Sequence, residues 1–261
     1  MKKHLGVLCC LLSVLSLTII SWKPANVIKS SRHHDKPFAA RALFEKYIDN
    51  IYESAHLEES GLSFNVFKKA LTGFVNLKKE EKIAQNKSVL TVVDYTKSSR
   101  EKRMWIIDVL NKSLILNTWV AHGHGSGNEM AKRFSNKIDS HQSSLGFYLT
   151  DDVYYGDNGR SLRLNGLDEG FNSNARKRAI VVHAAPYVGP DMVDLEGRMG
   201  RSFGCPAVSP DVADEVIDTI KEGTVMFVNG SSKHYHSKYL DESGAANYVV
   251  NDSGNGDTTS L

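Results

Sequence analysis

The chain has 261 residues, of which 41 % are hydrophobic and 24 % are charged. This composition is typical of an ordinary globular protein with a buried core, and it excludes a disordered or fibrous chain. The 32 basic and 30 acidic residues leave a net charge of only +2. Because the sequence also has no long basic stripe, we expect no nucleic-acid partner.

The N-terminus has the pattern of an export signal. Lys2 and Lys3 precede an uncharged apolar stretch over residues 5–20, and such a pair of regions is typical of a secretory signal. No clear small-residue cleavage site follows, and about 18 apolar residues can just span a bilayer. We therefore predict that residues 1–22 are a signal peptide or an N-terminal anchor, which leaves a membrane tether possible.

In an exported protein, the number of cysteines indicates whether a disulfide can form. Of the three cysteines, Cys9 and Cys10 lie within the signal, so Cys205 is the only one in the rest of the chain. No internal disulfide can form there. An unpaired cysteine in an exported protein indicates either pairing with another molecule or a free thiol with a chemical role.

Residues 37–86 are predicted to form a helical segment. Apolar side chains such as Leu43, Tyr47 and Ile51 recur at helical spacing in a first helix over residues 39–54. A second helix is predicted to begin near Ser63, which is a suitable N-cap. We expect both helices to serve packing rather than chemistry.

The sequence after Lys87 predicts a β-rich domain over residues 88–229. Short β-branched and aromatic runs, separated by turn residues, indicate strands. These runs cover residues 89–95, 104–109, 114–120, 145–149, 162–164 and 179–183, and a last strand covers 224–229. A helix is expected near residues 211–221, and the strands are expected to be mostly antiparallel. Residues 230–261 are polar and are predicted to form a flexible tail.

Cys205 and His183 carry the chemistry that the residues suggest. A cysteine attacks as the thiolate, and a neighbouring imidazole can take its proton. His183 ends an apolar run, which is a rigid place from which to aim a base. Gly204 permits a sharp turn, and backbone N–H groups near the nucleophile could stabilise an oxyanion. The alternative is a cysteine that serves only as a small buried hydrophobe.

Two further features are candidates for substrate contact. Arg201 is close enough in sequence to bind a substrate carboxylate in a bidentate manner. The glycine-rich stretch with His122 and His124 follows a predicted strand, and we expect it to line a substrate cleft. Zinc ligation by these two histidines with His183 is an alternative, but no further ligand pattern supports it. We therefore predict no metal and no cofactor.

At this point the sequence resembles a known family. The octet Gly-Arg-Ser-Phe-Gly-Cys-Pro-Ala at residues 200–207, with His183 upstream, resembles the signature of the L,D-transpeptidase catalytic domain (YkuD-like) family. The resemblance is closest to its murein L,D-transpeptidase branch and extends over roughly residues 114–229. The widespread family pattern has a glycine, a histidine and a basic or amide residue where this chain has Ala184, Phe203 and Ala207.

The resemblance implies a mainly β, barrel-like or sandwich-like catalytic domain, here with a short α-helical N-terminal segment. It implies attack of Cys205 on peptidoglycan stem peptides, with His183 as the base, followed by transfer of the resulting thioester to an amine. It also implies that the Ser202 carbonyl orients the histidine and that the backbone of Gly204 and Cys205 forms the oxyanion hole. The residues assigned to substrate binding are Arg201, His122, His124 and Tyr187.

The resemblance leaves two alternatives open. The same acyl-enzyme could pass to water, which would make the protein an L,D-carboxypeptidase. Alternatively, the domain could be a non-catalytic peptidoglycan-binding module. In all three cases the expected location is the periplasm or cell envelope, and the sequence determines neither the acyl acceptor nor the oligomeric state.

Overall fold

The computed structural model describes residues 35–254, with side chains over residues 38–251. The predicted signal peptide or anchor at residues 1–22 lies outside the described residues. Within residues 35–254, no helix is both long and apolar enough to cross a membrane. From Pro37 onward, the described residues belong to one compact unit.

Eight strands form one nearly closed, barrel-like sheet. They are β1 (Val89–Asp94), β2 (Met104–Asp108), β3 (Ser113–Thr118), β4 (Gly146–Gly156), β5 (Gly159–Gly166), β6 (Val181–Ala184), β7 (Ala207–Val208) and β8 (Val225–Asn229). Their order is β3-β2-β1-β8-β4-β5-β6-β7. A single antiparallel bridge joins Ala121, just beyond β3, to Ala207 in β7, which brings the two edges of the sheet together. The predicted mainly β, barrel-like fold is confirmed.

Most strand pairs are antiparallel, as predicted. The exceptions are β1 with β8 and β6 with β7, which run parallel. Both faces of the central strands are buried: in β8, Val225 and Phe227 face one core, and Met226 and Val228 face the other. This burial on both faces explains why the apolar runs are continuous and do not alternate with polar residues.

Residues 35–254 form five α-helices. They are α1 (Asp35–Ser54), α2 (Phe64–Lys79), α3 (Pro190–Glu196), α4 (Pro210–Ile220) and α5 (Glu242–Gly254). Helices α1 and α2 share one core with the sheet, so the N-terminal helical segment is packed directly onto the β domain. Gly73 permits this close approach, because a Cβ atom there would overlap the ring of Phe147 in β4. Helix α4 covers the opposite face through Val216 and Ile217.

Strands β4 and β5 are longer than the apolar runs 145–149 and 162–164 that indicated them. Asp151 and Asp152 interrupt the apolar pattern of β4, but their carboxylates pair with arginines. Arg163 of β5 lies 2.6 Å from Asp152, and Arg176 lies 3.0 Å from Asp151. The β4–β5 register shifts at these two residues, and pairing resumes at Val153 opposite Leu162.

The structure corrects the prediction of a flexible tail for part of residues 230–261. A 3-10 helix at Lys238–Leu240 and helix α5 lie within that range. Tyr239, Ala245 and Ala246 are buried in the same core as α2. The side-chain amide of Asn76 in α2 donates to the carbonyls of Tyr239 and Asp241, at 2.8 and 2.9 Å. Small alanines among polar residues give too weak a periodic signal to reveal this helix.

Candidate active site

The pairing of β6 with β7 brings Cys205 beside the strand that carries His183. His183 is in register with Ala207, and Cys205 precedes Ala207 by two positions in a parallel pair. Cys205 therefore lies alongside Val181, whose backbone N–H points at the cysteine Sγ at 3.5 Å. Two residues of a strand span about 7 Å. Cys205 and His183 are therefore offset by about 7 Å along the strands, which is the spacing of consecutive side chains on one face of a strand.

His183 is held in a form that can accept a proton. Its side chain is buried, with 4 % of the residue exposed. The ring Nδ1 lies 2.8 Å from the carbonyl oxygen of Ala184 and must donate to it, which leaves the lone pair on Nε2. Burial lowers the pKa of His183, against a smaller opposing effect of the Ala184 carbonyl. The imidazole is thus neutral at pH 7.

The Cys205 thiol is protonated in this resting arrangement. Burial raises its pKa, while the Val181 N–H and the charge of Arg178 act in the opposite direction. The Sγ lies 3.6 Å from the Ala179 carbonyl, which accepts from the thiol. No hydrogen bond joins the side chains of Cys205 and His183 in the part of the chain that the structure describes. Thiol hydrogen bonds are weak, so a turn of either side chain can change these partners.

Ser202 holds the cysteine loop together. Its hydroxyl donates to the Cys205 carbonyl at 2.7 Å and accepts the Gly204 N–H at 3.0 Å. Its own carbonyl accepts the His124 N–H at 2.8 Å. This differs from the expected role, because His183 is oriented by the Ala184 carbonyl. Since the Gly204 N–H is already engaged, the oxyanion donor left in this loop is the Cys205 N–H, which has no partner among the described residues.

Gly204 meets two requirements that other residues do not. Its φ is +125°, a conformation that L side chains rarely adopt. A Cβ atom there would also lie 2.9 Å from the carbonyl oxygen of Gln142. The glycine that precedes Cys205 is therefore required by the backbone conformation and by the close approach of Gln142.

Arg201 and His122 both support the glycine-rich loop. Arg201 Nη1 donates to the Gly127 carbonyl at 2.9 Å and to Asn128 Oδ1 at 2.8 Å. His122 is fully buried, and its Nδ1 accepts from Arg103 Nη2 at 2.8 Å. Burial and then the Arg103 charge lower the pKa of His122 to about 4. His122 was expected to contact substrate; in the structure its side chain is buried and hydrogen-bonded to Arg103.

His124 and Tyr187 remain at the surface of the site. The ring of His124 lies 5.3 Å from that of Phe203, which is 72 % exposed, and 4.9 Å from that of His141. These three rings form an exposed aromatic surface next to the cysteine loop. Burial, and then the nearby charge of Cys205, raise the pKa of Tyr187 to about 12. Its hydroxyl makes no hydrogen bond to the described residues and is free to bind a ligand.

Two residues near Cys205 were not identified from the sequence, namely Arg178 and His141. Both lie in segments that only the fold brings to the cysteine, and neither stands in a motif. Within residues 35–254, no group of three histidine, cysteine or acidic side chains is arranged to hold a metal ion. The zinc alternative therefore has no support from the geometry.

Comparison with known proteins identifies the relatives of this chain. A family model described as the L,D-transpeptidase catalytic domain matches residues 58–229. The comparison with curated proteins gave no match.

Solved structures match this chain at low similarity. An L,D-transpeptidase from Mycobacterium smegmatis is 14 % identical, with a TM-score of 0.33, and the match covers 55 % of this chain and 59 % of that one. The helical cell shape determining protein Pgp2 from Campylobacter jejuni is 12 % identical, with a TM-score of 0.38 over 68 % and 63 % of the two chains. The chain thus spans about three fifths of the length of these relatives. Likeness at this level does not establish a shared activity.

Proposed function

Because the chain belongs to the L,D-transpeptidase catalytic domain family, we propose that it is an exported enzyme that cross-links peptidoglycan stem peptides through Cys205. The observation that supports this most is the register of β6 and β7, which offsets Cys205 from His183 by about 7 Å along the strands. The expected place of action is the periplasm or cell envelope. The predicted export signal at residues 1–22 supports that location.

The reaction proceeds in two halves. His183 Nε2 takes the proton from Cys205 Sγ, and the thiolate attacks the carbonyl that precedes the terminal D-residue of a stem peptide. The Cys205 N–H donates to the oxyanion, and the D-residue leaves as an amine that takes the proton from His183. An acceptor amine then attacks the thioester and gives its proton to His183, which passes it to the departing Cys205 sulfur, so that the free thiol and the neutral imidazole are restored.

The exposed side chains around Cys205 form the substrate surface in this proposal. Tyr187 offers a free hydroxyl, and the rings of His124 and Phe203, which meet edge to face, offer an aromatic contact for the peptide. Arg201 has one Nη1 engaged by two loop acceptors, and the rest of its guanidinium is available for a substrate carboxylate. Replacement of Arg201 by Ala should therefore weaken both the loop and the binding of stem peptide.

A non-catalytic peptidoglycan-binding module is the second candidate. The observations that favour it are the raised pKa of the Cys205 thiol and the missing hydrogen bond between Sγ and His183. Catalytic hydrogen bonds are often long or misaligned in the absence of substrate and tighten in the complex, so the resting geometry leaves transfer as the leading proposal.

Incubation of the purified protein with a stem tetrapeptide separates these functions. A cross-linked dimer, read by mass spectrometry, is the expected product. Tripeptide alone would mean hydrolysis, and thus an L,D-carboxypeptidase, while bound but unchanged tetrapeptide would mean a binding module. His183→Ala should abolish the product, whereas His56→Ala, at an exposed position near the end of α1, should not change it.

A further inference from the structure

Arg178 lies beneath the cysteine loop and makes only neutral contacts. Its Nη1 donates to the Ser135 carbonyl at 2.7 Å and to the Ser144 hydroxyl. Its Nη2 donates to the Gln142 carbonyl at 2.5 Å and to Ser140 Oγ at 3.3 Å. None of these four acceptors carries a negative charge.

The charge of this half-buried guanidinium therefore has no carboxylate to balance it. No acidic side chain among the described residues forms an ion pair with Arg178, whereas Arg176, two positions earlier, pairs with Asp151 and Asp152. Placing a charge away from water without a counter-ion is unfavourable. The four hydrogen bonds offset part of that cost, and an anion that forms nearby would offset more of it.

The group that can become that anion is Cys205. The Arg178 Nη2 lies 3.2 Å from the position that a Cβ of Gly204 would occupy, directly beside the nucleophile. Resting on the function proposed above, we propose that Arg178 is a positioning residue that stabilises the Cys205 thiolate. It would do so by its charge and by fixing the Gln142 carbonyl against Gly204.

Few other ionisable side chains lie close to Cys205. Tyr187 and Tyr95 both lie close enough to sense a Cys205 thiolate, and burial raises the pKa of each to about 12, so both are neutral at pH 7. His183 lies on the neighbouring strand and is also neutral. Arg178 is thus the cation that favours the thiolate electrostatically, and the Val181 N–H adds a hydrogen bond.

The test measures the thiol itself and needs no peptidoglycan. The rate of alkylation of Cys205 by iodoacetamide is recorded against pH on the full-length protein. The modified peptide that contains Cys205 is quantified by mass, so that Cys9 and Cys10 do not contribute. The midpoint of this profile reports the thiolate fraction.

Arg178→Gln removes the charge, and we expect the midpoint to rise by about one pH unit, with about tenfold slower alkylation at pH 7. Arg178→Lys keeps the charge and should recover part of that rate. Ser140→Asp offers a second route, because it replaces the Ser140 hydroxyl with a carboxylate against the guanidinium and leaves the arginine hydrogen bonds to Ser135, Ser144 and Gln142 in place. It should raise the midpoint even if Arg178→Gln fails to fold.

The control is Arg176→Gln, which removes an exposed arginine that already has acidic partners and should leave the profile unchanged. If Arg178→Gln or Ser140→Asp folds and its profile overlays that of the wild type, Arg178 only supports the loop and the inference is wrong. The profile also separates this inference from the proposed function. A shifted midpoint with no product from stem peptide would sustain the role of Arg178 and contradict transpeptidation.

Discussion

The buried histidine at position 122 predicts a specific loss of stability in mild acid. Its pKa is lowered from 6.5 to about 4, by burial first and by the charge of Arg103 second. Below pH 6.5 the unfolded chain binds a proton at this site that the native state does not bind. Stability is therefore fully present above pH 6.5 and falls until the pH reaches about 4. Integration of that difference gives a loss of about 2 kcal/mol between pH 7 and pH 5, and about 3 kcal/mol in total.

The assay is urea unfolding, followed through the fluorescence of the buried Trp105, at a series of pH values from 7 to 5. His122→Asn keeps an acceptor for Arg103 but cannot take a proton there, so it should remove about 2 kcal/mol of the pH dependence. Val120→Ala, which removes buried methyl groups next to this histidine, should lower stability equally at every pH. Equal pH slopes for His122→Asn and the wild type would refute the reasoning.

Three other substitutions follow from the packing. Gly73→Ala would push a methyl group into the ring of Phe147 and should cost about 1–3 kcal/mol of unfolding free energy; an unchanged urea midpoint would contradict this. Asn76→Ala leaves the buried Tyr239 carbonyl without its side-chain donor and removes one of the hydrogen bonds to the Asp241 carbonyl. We expect a loss of about 1–3 kcal/mol and earlier proteolytic cleavage within residues 230–254, whereas wild-type resistance would show that the amide is dispensable. Gly204→Ala should displace the nucleophile and reduce stem-peptide turnover by about 10²-fold, and turnover at the wild-type rate would exclude the backbone requirement.

The sequence predicted best those strands that are buried on both faces of the sheet. The runs in β1, β2 and β8 are mostly apolar, because these strands lie between two cores. The sequence did not predict the full length of β4 and β5. Asp151 and Asp152 interrupt the apolar pattern of β4, and the arginines that pair with them are distant in sequence. Helix α5 was missed for a different reason: its buried face consists of small residues such as Ala245.

The site shows the same division between local and long-range information. Gly204 and Ser202 could be placed from the motif, because their effects act on the loop that contains them. The contacts of His122 with Arg103 and of Arg201 with Asn128 could not, since each depends on how distant loops meet. The family resemblance implied that the Ser202 carbonyl orients His183, while in the structure the His183 ring bonds the Ala184 carbonyl.

The most direct test of the account is to look for the acyl-enzyme. Wild-type protein is mixed with a stem tetrapeptide, quenched in acid, digested and analysed by mass spectrometry. We predict that the peptide containing Cys205 gains the mass of the tetrapeptide less its terminal D-residue and that Cys205→Ser shows neither this thioester adduct nor cross-linked product. Product formation by Cys205→Ser at the wild-type rate, or an adduct on another residue, would contradict the claim that Cys205 is the nucleophile.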